Sequence, residues 1–100
     1  MIKKKVEIDL TGTELYAVQE IQIDSTGGVT PLSVVAKDCY MDADVYIKYQ
    51  IIKLQNSFGK DNVNVVLDRL KNEYRVKVSY DTEVVKGSFT VIYVITKLFL

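Results

Sequence analysis

Three carboxylates within seven residues, Asp38-x-x-x-Asp42-x-Asp44, are the densest group of carboxylates in this sequence. Hard cations such as Mg²⁺ and Ca²⁺ take oxygen ligands, so Asp38, Asp42 and Asp44 are the candidate metal ligands. The spacing is not that of an EF-hand loop: no glycine marks the sharp turn and no glutamate closes it. A polar connector whose aspartates satisfy backbone donors explains the same residues, so neither a metal nor another cofactor is expected.

Other candidate sites are weaker. Ser57-Phe58-Gly59-Lys60-Asp61 places Gly-Lys ahead of an apparent helix, a position suited to phosphate. The Walker pattern fails there, because Asp61 stands where Ser or Thr is required and the upstream glycine is missing. Ser25-Thr26-Gly27-Gly28 lacks the spacing of a dinucleotide loop and reads as a hairpin turn. Cys39 is the single cysteine, which forbids an intrachain disulfide and reads as a buried, inert thiol. The chain has no histidine. Ser-His, Cys-His and His-ligated metal chemistry is therefore closed to one copy, and a histidine-free enzyme would depend on carboxylates, lysine, tyrosine or Cys39.

The seven tyrosines fit a binding protein better than a catalyst, since tyrosine joins a large apolar body to a polar tip. Tyr49, Tyr74 and Tyr80 fall on expected core faces. Tyr40 and Tyr46 fall on the connector and on an outward face, which makes them the candidate partner-binding residues. Lysines 3 to 5 and the group Arg69, Lys71, Arg75 and Lys77 are each diluted by carboxylates. Formal charge is balanced at 13 basic and 13 acidic residues. That balance argues against nucleic acid as a partner and removes long-range repulsion between copies.

The elements that must carry these residues follow from period. One hundred residues make a single domain. Ile2 to Leu10 alternates as a half-buried strand. Leu15, Ala17, Ile21 and Ile23 share one strand face, with Gln19 as its only polar member, so residues 14–24 are taken as a strand. Thr11-Gly12-Thr13-Glu14 also matches a helix capping box, which keeps a helix open as the alternative. Val29 to Ala36 and Val45 to Ile51 read as strands. The latter alternates Val45, Ile47, Tyr49 and Ile51 against Tyr46, Lys48 and Gln50, while a helical wheel scatters apolar groups all round. Val63, Val66, Leu67, Leu70 and Tyr74 recur at helical spacing after Asp61, which predicts a helix near 61–73 docking through Val66 and Leu70. Tyr74 to Tyr80 alternates again. The final run, Phe89 to Leu100, is apolar on both sides, as expected of a mid-sheet strand covered on two faces.

The expected fold is α+β: about six strands in mainly antiparallel order β-β-β-β-α-β-β, with one helix. A small β-sandwich or barrel with a flanking helix is the alternative. One short helix cannot cover so much sheet. The expected function is therefore a non-catalytic protein–protein interaction or assembly module that self-associates, either a subunit of a larger particle or a small inhibitor or adaptor. Leu98, Phe99 and Leu100 are its expected oligomer contact, and the partners are itself and another protein. A small-ligand or nucleic-acid-binding module and a carboxylate-using enzyme are the alternatives. No run approaches the roughly 20 apolar residues of a membrane helix, and Glu7 and Asp9 interrupt any signal core, so a reducing cytoplasmic location is expected.

Overall fold

The computed structural model describes residues 14–82 and 84–99; the expected strand at residues 2–10 lies outside them. The elements are β1 (Glu14–Asp24), β2 (Val29–Lys37), α1 (Tyr40–Phe58), a 3₁₀ turn (Lys60–Asn62), β3 (Val63–Asp68), β4 (Glu73–Asp81) and β5 (Lys86–Phe99). The fold is α+β. Its strands form one antiparallel sheet in the order β2-β1-β5-β4-β3, and α1 lies across one face. Among the described residues β2 and β3 are the edges of the sheet, which is not closed into a barrel.

The class is as expected, but the helix is elsewhere. Residues 63–68, expected in a helix, form strand β3, and Leu70 lies 99% exposed in the turn that follows. Valines 63, 65 and 66 are β-branched and favour a strand. Period two also gathers Val63, Val65 and Leu67 on one face, which leaves Val65 accounted for where the helical stripe did not. The β3–β4 turn closes the matter locally. The Asp68 carboxylate accepts the N–H groups of Leu70 (3.1 Å) and Lys71 (3.3 Å), and Asn72 takes the left-handed backbone (φ 49°) that asparagine tolerates.

Conversely, the expected strand 45–51 lies inside α1. Ala43, Ile47, Ile51, Leu54 and Phe58 recur every three or four positions and turn one side of the helix onto the sheet, the first three of them buried. The Cys39 carbonyl accepts the first intrahelical bond, from Ala43 N–H at 3.2 Å. Asp42 stands in the first turn, where the helix dipole favours a negative charge. Gly59 ends the helix at φ 91°, a region that disfavours side chains, and its N–H reaches the Gln55 carbonyl at 2.9 Å.

The core lies between α1 and the sheet. Ile47 and Ala43 meet Val76, Val78, Tyr74, Val91, Tyr93, Ile95, Val18 and Val63, all buried. The register shows that the apolar side of the sheet changes over across its middle. In β4 and β3 the apolar residues (Tyr74, Val76, Val78; Val63, Val65) share the face of Val91 and Tyr93, toward α1. In β1, Leu15, Ala17, Ile21 and Ile23 align with Leu98, Thr96, Ile92 and Thr90, on the face away from α1. In β2, Ala36, Val34, Pro31 and Val29 align with Ala17, Gln19, Ile21 and Ile23 on that same far face. Strand β5 is where the two halves meet. It has to be apolar on both sides, which is why the end of the sequence reads as it does. One of its faces is covered by α1; on the other, Ile92 is buried beside its strand neighbours Ile21 and Arg75, Val94 is half-buried and Leu98 is exposed.

Candidate functional site

The helix-free face of β2, β1 and β5 is the first candidate surface. An antiparallel sheet with a solvated face ordinarily alternates and presents polar residues to water. Here Val29 (62%) and Val34 (70%) are exposed, Leu15, Ala17, Ile21, Ile23 and Val94 are half-buried, and Leu98 is exposed at one end. Phe99 pairs through its backbone with Glu14, and Leu100 lies outside the described residues. Toward β4 the same face becomes charged through Glu73, Arg75 and Lys77, with Arg75 reaching Glu73 at 3.4 Å. The basic group 69–77 is thereby split between the β3–β4 turn and this strand face.

The second candidate is the outer side of α1. Met41 (72%), Val45 (58%), Tyr49 (59%) and Ile52 (49%) succeed one another at spacings of four, four and three. They form an apolar stripe opposite the one that packs on the sheet. Tyr49 was expected in the core; the helix turns it to solvent instead. Beside the stripe lies a hollow of about 340 Å³ lined by Lys37, Asp42, Val45, Tyr46 and Tyr49. Lys37 Nζ stands 5.2 Å from the centre of the Tyr46 ring, and Lys53 Nζ stands 5.5 Å from that of Tyr49.

The two tyrosines expected to meet a partner are both on α1, not on a connector or a strand. Tyr46 is half-buried and borders the hollow. Tyr40 packs edge-on against Tyr16, with ring centres 6.0 Å apart, and its hydroxyl donates to Asn72 Oδ1 at 3.4 Å. It is exposed but lies off the outer stripe.

The three carboxylates do not converge. Asp38 is exposed ahead of α1, Asp42 flanks the outer stripe, and Asp44 turns toward β4, where it accepts the Tyr74 hydroxyl and an ion pair from Lys48 at 2.9 Å. Two residues apart on a helix point about 200° apart, which is why proximity in sequence did not become proximity in space. Among the described residues no group of three carboxylate or cysteine side chains is placed to hold a metal ion. Burial pushes the Asp44 carboxyl up, but Lys48 and the Tyr74 hydroxyl outweigh it and leave Asp44 below the usual carboxylate range. Burial, then the facing Asp44, pushes the Tyr74 hydroxyl up to about 12.

Two further expectations are corrected. Cys39 is exposed, not buried, as the extended N-cap residue just ahead of α1. The Gly59-Lys60 segment follows a helix C-terminus, so Asp61 caps no helix and the loop has no helix N-terminus to offer a phosphate. The turn at 25–28 is as expected: Asp24 Oδ1 accepts Thr26 N–H (2.9 Å) and Gly28 N–H (2.7 Å), and Gly27 takes φ 90°.

The outer stripe was the main feature missed in the sequence. Its signal was present as the helical wheel over 45–51 that scattered apolar groups all round. A helix with two apolar sides gives that pattern as surely as a strand does.

No helix among the described residues is long and apolar enough to cross a membrane. Compared with protein-family models, with curated proteins and with solved structures, the chain matches none.

Proposed function

We propose that this protein is a non-catalytic interaction and assembly module whose first partner is another copy of itself. One observation carries this reading. Among the described residues the domain has two layers, and the sheet layer keeps a mostly apolar surface turned away from α1, from Val29 and Val34 across Ile21 and Ile23 to Val94 and Leu98, interrupted by Gln19, Thr90 and Thr96. Exposed apolar patches of this kind are uncommon on isolated soluble domains and usual at contact surfaces. Balanced charge allows identical copies to approach. Leu98 lies on this surface, so the end of β5 takes part in the contact as the residues themselves suggested.

Light scattering coupled to size-exclusion chromatography tests the proposal. At tens of micromolar the chain is expected to run as an oligomer. The double variant Val29→Lys, Val34→Lys changes two exposed side chains, so it should keep the circular dichroism spectrum of the fold and lower the mass. A wild-type chain that is monomeric at that concentration sinks the reading. An oligomer indifferent to both lysines would move the contact off this face.

A further inference from the structure

We infer that two copies also meet through the outer stripe of α1, helix against helix in antiparallel orientation, with Asp42 of each copy facing the partner's Lys53. This rests on the self-association reading above and specifies a second surface for it. The stripe runs from Met41 to Ile52, about 16 Å along the axis. Its midpoint lies near residue 47. A two-fold axis there sets Val45 against the partner's Tyr49 and Met41 against the partner's Ile52.

The charges select the orientation and the occupant. Asp42 and Lys53 are eleven positions apart, about three turns, and so lie on one flank of the stripe at opposite ends. An antiparallel dyad at the same midpoint brings Asp42 to the partner's Lys53 twice over. In a parallel two-fold pair the partner's copy of this flank lies across the seam, so Asp42 would not face the partner's Lys53 and neither pair would form. Antiparallel helix dipoles favour the same choice. On the other flank Lys48 comes near its counterpart at the dyad, but each Lys48 is already neutralised by its own Asp44 at 2.9 Å. The charges flanking the stripe are thus complementary to those of an antiparallel copy. The hollow lined by Lys37, Asp42, Val45, Tyr46 and Tyr49 is the place that receives the partner's Tyr49 ring. Four apolar side chains per copy make a contact at the small end of stable interfaces, so the association depends on concentration.

Charge exchange tests this by analytical ultracentrifugation of the full chain at low salt. Asp42→Lys alone sets lysine against lysine at both ends of the contact, and Lys53→Asp alone sets aspartate against aspartate. Each single variant should weaken self-association roughly tenfold, and the double variant, which restores both pairs in reverse, should recover it. Melting followed by circular dichroism checks that each variant folds. Singles that associate like the wild type, or a double no tighter than the singles, overturn the antiparallel helix pair. If association then still responds to Val29→Lys, Val34→Lys, the sheet-face reading stands without it. If no variant and no wild-type sample associates, both fall.

Discussion

Ile47 and Tyr49 are two residues apart, and the structure assigns them opposite fates. In a strand they would share a face; in α1 they point about 200° apart, with Ile47 fully buried and Tyr49 mostly exposed. Ile47→Ala removes three carbons from a site among Val76, Val91 and Tyr93. The transfer term is about 2.4 kcal/mol at about 0.8 per carbon. A partly collapsed cavity adds about 1–2 kcal/mol. Alanine's better helix propensity returns about 0.4 kcal/mol. The expected net loss is about 3–4 kcal/mol, a large part of the stability of a domain this size. Tyr49→Ala removes an exposed ring and the weak Lys53 contact, and its expected effect is within about 0.5 kcal/mol. Urea unfolding followed by far-ultraviolet circular dichroism measures both. It should be run dilute enough that the midpoint no longer depends on protein concentration, so that a loss of self-association is not read as a loss of fold. A Tyr49→Ala variant as destabilised as Ile47→Ala would return residues 45–51 to a strand and remove the outer stripe with it.

Two other outcomes follow from single contacts. Tyr74 titrates at about 12 in the folded chain against about 10 unfolded, so its contribution is complete below about pH 10 and is lost as pH rises through about 12. Tyr93 is shifted in the same direction, chiefly by burial and then by Glu20, so the wild type should lose stability across that window more steeply than Tyr74→Phe; equal slopes would mean Tyr74 is not shielded as described. At Gly87 an added Cβ would run into the Tyr80 ring, so Gly87→Ala should cost about 1–3 kcal/mol. The cost should shrink in a Tyr80→Ala background, and an undiminished cost in that double-mutant cycle would place the strain elsewhere.

The sequence alone determined the antiparallel α+β class, strands β1, β2, β4 and β5, the turn at Asp24–Gly28 and the central place of the last strand. In each, period two or a glycine turn speaks within a few residues, and local chemistry decides the local conformation. Two segments escaped it for one reason. Val63, Val66, Leu67 and Leu70 mimic a helical stripe, and Val45, Ile47, Tyr49 and Ile51 mimic a strand, because each carries apolar residues beyond those its own core face needs. Which residues are surplus depends on what packs opposite, and that is a tertiary quantity. Pairing of Val63–Asp68 with Glu73–Val78 makes the first segment a strand. The sheet beneath Ala43, Ile47 and Ile51 makes the second a helix and leaves Met41, Val45, Tyr49 and Ile52 facing out. The same holds for the candidate sites. The aspartates at 38, 42 and 44 were legible as a cluster, and the turn of the helix dispersed them. The apolar face of β1 was legible as apolar, but only the position of α1 on the opposite side of the sheet decided that this is the face the helix does not cover.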